Sequence, residues 1–350
     1  MKKVLVTGGA GFIGSHTCVE LVEAGYLPVI VDDLRNSHER ILAGLTRITG
    51  RDLPVHRVDC NDPEAMERVF TAEGPFHGVI HFAAYKSVNE SVNEPLKYYT
   101  NNIGSLAVLI ATAQRHALRR IVFSSSCAVY GQADRLPVDE TAPAERTNSP
   151  YGFTKVACEH LLRDLAVSDP AWRMVLLRYF NPIGAHPSGL IGELPVGVPS
   201  NLVPYVVQAA AGRREALTIH GTDYDTPDGT CLRDYIHVVD LARAHVRALA
   251  HLDDERSANC SVFNVGTGRP ASVKEVVDTF ERVTGVRVPV RMGPRRPGDV
   301  ASIYADTSRA AHDLGWRSEH DLGHALRHAW QWQQHLEAEG SDASIKRSGA

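Results

Sequence analysis

The chain has 350 residues, 43% hydrophobic and 22% charged, with a formal net charge of −4 and both signs well mixed. That is an ordinary globular composition, and it gives no reason to expect nucleic acid or a membrane as a partner. The length favours one large α/β unit with an appended lobe, or two domains.

The six cysteines, Cys18, Cys60, Cys127, Cys158, Cys231 and Cys260, form no C-x-x-C pair. They predict neither a disulfide framework nor a zinc site, and they fit a reducing cytoplasm. His324 and His328 have helical i,i+4 spacing but lack the glutamate of the metalloprotease pattern, so they read as a helix surface and no metal is expected. Met1 to Val6 mimics a signal peptide, but Thr7-Gly8-Gly9 breaks it before an apolar segment develops. No run of about 18 apolar residues occurs, so no membrane span is expected.

Val4-Leu5-Val6 reads as a buried strand of a parallel sheet. Gly8 to Gly14 come next, then a helix with Ile13, Cys18, Leu21 and Val22 on one stripe, closed by Gly25. Gly9, Gly11 and Gly14 fit G-x-G-x-x-G, while Gly8, Gly11 and Gly14 fit G-x-x-G-x-x-G. Between a strand and a helix, either spacing lets the backbone approach a pyrophosphate at the positive end of the helix. Leu27 to Val31 is the second strand, ending in Asp32-Asp33. A carboxylate about 20 residues beyond the glycines accepts from a ribose 2′-hydroxyl and repels a 2′-phosphate, which favours NAD over NADP. Asp32 is the expected reader, and Asp33 caps the adjoining segment.

Val55 to Val58 is a third strand. Gly78 to Phe82 is a fourth, ending in small residues and then Tyr85-Lys86. A helical pattern over 95–117 contains Asn101 and Asn102. Buried asparagines need partners, so one is expected to bond backbone or brace the site. Ile121 to Phe123 is the fifth strand, ending in Ser124-Ser125-Ser126 where open α/β sheets bind ligands. A polar loop leads through Pro150 into a helix bearing Tyr151 and Lys155. Met174 to Leu177 is the sixth strand. The alternation to this point predicts a doubly wound parallel sheet.

After Asn181 the rhythm breaks, and residues 183–205 are rich in Pro and Gly. Strands are expected at 217–220, 233–238 and 262–265, the last returning to the main sheet. Helices are expected at 239–252, 273–283 and 322–336, with a rigid basic loop over 293–299. The resulting division is 1–180 with a returning segment 236–266 as one domain. Residues 181–235 and 267–337 form a second lobe, and 338–350 a disordered tail.

A nicotinamide cofactor implies hydride transfer, and taking hydride from a carbinol also requires a base for the hydroxyl proton. Tyr151 and Lys155 are one helical turn apart on the same face. A tyrosine must fall from a pKa near 10 toward neutrality to serve, about 4 kcal/mol of differential stabilisation. A neighbouring ammonium and an oxidised nicotinamide both act in that direction. Ser126 adds a hydroxyl that could orient the same substrate oxygen.

The run Thr7 to Gly14, the serine strand end and Tyr151-x-x-x-Lys155 resemble the extended short-chain dehydrogenase/reductases. Further along, Arg178 to Gly189, Asn201 to Tyr205 and Asp228 to Val238 are similar to the UDP-glucose 4-epimerase (UDP-galactose 4-epimerase) family, over residues 2 to about 335. The resemblance implies a Rossmann-type α/β fold with a smaller mixed α/β substrate lobe, a tightly bound NAD and a homodimer. The implied reaction interconverts UDP-galactose and UDP-glucose through a 4-keto intermediate that rotates before hydride returns. Tyr151 is implied as the base, Lys155 as its partner and Ser126 as a contact to the sugar oxygen. Gly8, Gly11, Phe12, Ile13, Gly14, Asp32, Asn36, Ser37, Asp59, Cys60, Phe82, Ala83, Lys86, Asn101, Ser124 and Tyr179, with Tyr151 and Lys155, would line NAD. Lys86, Ser126, Tyr151, Asn181, Asn201, Leu202, His220, Arg233, Tyr235, Arg296, Asp299 and Ile303 would hold the UDP-hexose, with Arg233 and Arg296 on the diphosphate.

Three positions depart from the pattern. His220 stands where an aromatic often stacks on uracil. Ile303 stands at the wall that is thought to gate N-acetylated sugars, so UDP-N-acetylhexosamines stay open as substrates. Cys127 stands where related dehydratases carry an acidic pair, which argues against elimination. The alternatives are a related nucleotide-sugar epimerase or dehydratase and a non-catalytic NAD(H) sensor, which would have less use for Tyr151 and Lys155.

Overall fold

The computed structural model describes residues 1–296 and 299–348, with side chains as far as 339. The first half alternates strand and helix: β1 Lys3–Thr7, α1 Phe12–Glu23, β2 Leu27–Val31, α2 Glu39–Thr49, β3 Val55–His56, α3 Pro63–Glu73 and β4 Gly78–His81. It continues through the short helices α4 Val88–Asn93 and α5 Pro95–Tyr98, then α6 Gly104–Arg115, β5 Arg120–Ser126, α7 Pro150–Ser168 and β6 Arg173–Tyr179. The second half holds β7 Asn181–Ile183, α8 Leu202–Ala210, β8 Leu217–His220, β9 Leu232–His237, α9 Val238–His251 and β10 Cys260–Val265. It ends with β11 Pro270–Ser272, α10 Val273–Thr284, β12 Val290–Gly293, β13 Ser302–Ile303, α11 Ser308–Asp313 and α12 Leu322–Ser348.

Seven parallel strands form the main sheet in the order β10-β6-β5-β4-β1-β2-β3. The strand order reverses between β1 and β4, which opens a crevice at their carboxyl ends. Alternate residues feed two cores. Val4, Val6, Ile30, Ile80, Val122 and Leu177 pack under α1 and α9 with Cys18, Leu21 and Leu241. Leu5, Val29, Val79, Ile121 and Phe123 pack under α3, α6 and α7 with Phe70, Leu109 and Leu162. Burial on both faces explains why these strands read as continuous apolar runs. This is the Rossmann-type architecture. A smaller lobe of mixed strands and helices has its own core around Val206, Ile219, Phe280 and Leu326.

Three elements differ from the sequence reading. The expected strand over 55–58 is only Val55–His56. The helix expected over 95–117 is broken by a π-turn at Tyr99–Ile103, where the asparagine pair sits. Such turns recur at functional sites. Residues 338–348, read as disordered, continue α12 as helix, and Gly349 and Ala350 lie outside the described residues. Good helix formers, Leu336 to Glu339, carry the helix onward, and Arg213 anchors Glu337. No helix among the described residues is long and apolar enough to cross a membrane.

Candidate active site

The glycine turn is shaped by close packing. Gly8 has φ +71° and donates its N–H to Val31 at 2.7 Å. A Cβ on Gly14 would stand 2.2 Å from the Gly8 carbonyl, and one on Gly8 2.8 Å from the Ala83 nitrogen. Gly11 precedes α1 without a side-chain cap, and the first turn holds no acid. The N–H groups of Phe12 and Ile13 therefore meet no capping side chain at the positive end of the helix. The turn fits a pyrophosphate and leaves no room for side chains at Gly8 or Gly14, so the residues present fit NAD.

Asp32 closes this cradle at the end of β2. It accepts from Ala10 N and Leu34 N at 2.9 Å each and from the Ser37 hydroxyl at 2.7 Å. Asp33 caps a local turn, accepting from Arg35 N at 2.8 Å, and pairs with the Arg35 guanidinium at 2.9 Å. Arg35 reaches Asp59 at 2.6 Å and the Tyr85 hydroxyl at 3.1 Å, although the sequence gives it no distinguishing signal. Burial pushes the Asp59 carboxyl up, but bonds from Asn61 and Arg35 outweigh it and lower its pKa. Cys60 is buried and its thiol is pushed up by that burial. Asn36 stays exposed and Phe82 packs on His245 at 4.6 Å.

The π-turn supplies the brace expected of the asparagines. Asn102 accepts from Tyr85 N at 2.9 Å, donates to Tyr85 O at 3.0 Å and donates to the Thr154 hydroxyl at 3.1 Å. It ties the end of β4 to α7. Asn101 stands beside it, bonded to Asn61 and Asn102.

Ser149 and Pro150 start α7, with the Ser149 hydroxyl accepting from Gly152 N at 3.1 Å. Tyr151, Lys155 and Ser126 are all buried. Lys155 Nζ donates to the Ser124 carbonyl at 2.7 Å and lies 6.0 Å from the Tyr151 ring centre. Ser126 lies close enough to the Tyr151 hydroxyl to lower its pKa, and the Ser124 hydroxyl meets that of Tyr179. The three serines lie within β5 itself, not in a loop after it. With protein groups alone, burial pushes Tyr151 up to about 12 against the lowering effect of Ser126, and burial pulls Lys155 down to about 8. With these groups alone the tyrosine lies above its usual value; the fall expected from the sequence also counts the positive charge of an oxidised nicotinamide. Desolvation is the largest influence on each group, and on Tyr151 it exceeds the lowering effect of Ser126.

Across the crevice, β7 and β13 both pair with β9 and bring the other candidates together. Asn181 stands beside Tyr235 and Ile303 beside Arg233. Among the described residues Asn181 Oδ1 is buried without a hydrogen-bond partner, the mark of an acceptor site waiting for a donor. Asp299 faces two arginines, with Arg296 at 3.3 Å and Arg233 at 3.8 Å. Arg295, next in the basic loop, turns away to Asp223 at 2.8 Å and stacks on Tyr224. Pro297 and Gly298 of that loop lie outside the described residues. His220 ends β8 beside the loop, its Nδ1 3.2 Å from the Pro294 carbonyl. Ile303 is buried with Val129, Tyr130 and Phe180. Lys86 and Asn201 both contact Glu193, a residue the sequence reading passed over. His328, expected on a bare helix surface, instead places Nδ1 2.9 Å from His237 Nε2.

Similarity to known proteins agrees with this layout. The model of the NAD dependent epimerase/dehydratase family matches residues 4–266. UDP-glucose 4-epimerase of Bacillus subtilis is 49% identical over 330 residues, covering 94% of this chain and 96% of that protein. The Dictyostelium discoideum UDP-glucose 4-epimerase is 48% identical over 331 residues, covering 95% of each. The crystal structure of the Bifidobacterium longum UDP-glucose 4-epimerase, in complex with NAD+ and UDP, superposes with a TM-score of 0.92. It is 47% identical and covers 95% of this chain and 98% of its own. The chain belongs to the NAD dependent epimerase/dehydratase family and, within it, to the UDP-glucose 4-epimerases.

Proposed function

We propose that the protein interconverts UDP-galactose and UDP-glucose by transient oxidation of the sugar at C4′. The observation that carries this reading is the buried set of Tyr151, Lys155 and Ser126 at the sheet that carries the glycine cradle, with Arg233 and Arg296 paired to Asp299 in the smaller lobe. Bound NAD supplies a hydride acceptor and donor and, when oxidised, a positive charge. Gly8, Gly11, Phe12, Ile13, Gly14 and Asp32 hold it, with Asn36, Ser37, Asp59, Cys60, Phe82, Ala83, Lys86, Asn101, Ser124 and Tyr179 around it.

Tyr151 takes the proton of the sugar 4′-hydroxyl and returns it, and Ser126 bonds the same oxygen. Burial leaves the tyrosine neutral, so its ionisation waits on positive charge beyond that of Lys155. Arg233 and Arg296 grip the diphosphate, relieving each other's repulsion through Asp299. Asn181, Asn201, Leu202 and Tyr235 complete the UDP side, His220 stacks on uracil and Ile303 walls the hexose. A firm hold on UDP leaves the sugar free to turn over. Purified protein should convert UDP-galactose to UDP-glucose without added reductant. Failure to do so with NAD bound would overturn the reading. UDP-N-acetylgalactosamine, run alongside on wild type and Ile303→Tyr, measures the gate.

A homodimer and a cytoplasmic location belong to the same proposal. Val88, Val92, Leu96 and Phe153 leave apolar surface exposed on the adjoining α4, α5 and α7. Leu96→Asp should convert a sedimenting dimer to monomer, and a wild-type monomer would refute the pairing. Six free cysteines suit a reducing compartment.

A further inference from the structure

We propose that Glu193 is a positioning residue that keeps the nucleotide end of the cleft open by holding Asn201 and Lys86. The inference rests on the UDP-sugar reading of that cleft.

The backbone at Glu193 is clamped. Ala185 bridges to Gly192, and His186 N donates to Ile191 O at 3.1 Å. The Trp332 indole donates to the Glu193 carbonyl at 3.0 Å. A Cβ on Gly192 would stand 2.4 Å from the Trp332 ring, so the two surfaces already touch. From this fixed point the side chain, only 10% exposed, reaches toward the cleft. One oxygen, Oε1, accepts from Lys86 Nζ at 2.7 Å and from Asn201 Nδ2 at 2.7 Å. Lys86 lies beyond β4 of the main sheet, while Asn201 opens α8 of the smaller lobe. A single carboxylate oxygen thus ties the two halves.

Asn201 is the N-cap of α8, in the extended conformation that caps adopt, yet its side chain makes no cap bond. Asparagine is among the strongest capping residues. Here Glu193 draws the carboxamide away. The first N–H groups of α8 then have no side-chain acceptor, and the positive end of the helix stays available to an anionic ligand. If Glu193 is lost, Asn201 is free to fold back onto its own helix and compete with the diphosphate. Lys86, already half exposed, loses its ion pair with Glu193.

The test is a double-mutant cycle with UDP itself as the calorimetric probe on the NAD-bound protein, together with UDP-galactose kinetics. Glu193→Ala should weaken UDP binding and raise KM about tenfold, the equivalent of one cap bond gained in competition with the ligand plus one lost charge-assisted contact, with kcat changed less than about threefold. Glu193→Gln, which can still accept from Asn201 but not pair with Lys86, should show a smaller loss. In an Asn201→Ala background the Glu193→Ala effect should shrink to about the remaining Lys86 contribution, roughly threefold or less. Melting temperature and NAD content, unchanged across the set, separate positioning from misfolding. Unaltered UDP affinity in Glu193→Ala, or an undiminished effect in the Asn201→Ala background, overturns the proposal. Wild type that binds UDP but turns over no sugar fails the functional reading alone, because the binding cycle is still readable.

Discussion

On the cofactor side of the cleft, Tyr151, Lys155 and Ser126 are buried and joined to the sheet through Ser124 and Tyr179, while Asn102 locks α7 to β4. On the nucleotide side, Arg296 is half exposed, Arg233 and Arg296 stand 3.3–3.8 Å from one shared aspartate, and Asn181 keeps an unused acceptor. The first wall is complete before any ligand arrives and the second is finished by its ligand. That division suits a cofactor that is retained through every cycle and a substrate that must leave.

The largest break in this contrast should come from Tyr151→Phe. It removes one hydroxyl from the finished wall, so turnover should fall by about 10³-fold with NAD content unchanged by absorbance. Near-normal turnover would assign the proton to another group. Gly14→Ala attacks the cradle itself. Its methyl would overlap the Gly8 carbonyl, and bound NAD should fall about tenfold or more in the purified protein. Full NAD occupancy would mean that the turn is looser than its packing indicates.

Arg233→Ala tests the unfinished wall. KM for UDP-galactose should rise by about ten- to a hundredfold while kcat holds, since the lost contact is made equally to substrate and transition state. A fall in kcat at constant KM would place the arginine in the chemistry. The last effect is one of pH on stability, carried by buried imidazoles that include three in the cofactor half. Burial lowers His16 and His81 to about 3 and His245 to about 4. Each unfolded imidazole takes a proton below its ordinary 6.5, whereas the folded one resists until those values. Stability is therefore full above about pH 6.5 and declines as pH falls toward those folded values, by about 2 kcal/mol per imidazole at pH 5. A melting temperature that is flat between pH 7 and 5 would count against this.

Much of the finished wall was legible because its signals are local. The glycines, Asp32 and the tyrosine–lysine pair announce themselves through spacings set by one turn or one helix face. The unfinished wall depends on contacts distant in sequence. Glu193 meets Lys86 across 107 positions, and nothing around either residue foretells the partner. Arg35 likewise reaches Asp59 and Tyr85 across the sequence, and Arg296 was set apart from Arg295 by the family resemblance and not by any local pattern. The π-turn escaped because its residues share the apolar rhythm of the helices on either side. The upward push of burial on Tyr151 was not legible, because spacing reveals a neighbouring charge and says nothing of how dry the pocket is.

The last strand of the main sheet, β10, lies beside β6 but is reached only after the chain has built β7, α8, β8, β9 and α9. No single cut can therefore separate the two halves. A fragment ending at residue 180 would present β6 as a bare edge, with Met174 to Leu177 uncovered where Val262 and Phe263 now sit. During synthesis that edge stays open until residue 265 has left the ribosome, so the cofactor wall matures late even though its signature residues are translated first. A split-protein or domain-swap design on this scaffold would have to carry β10 with the first half, or supply a strand in its place.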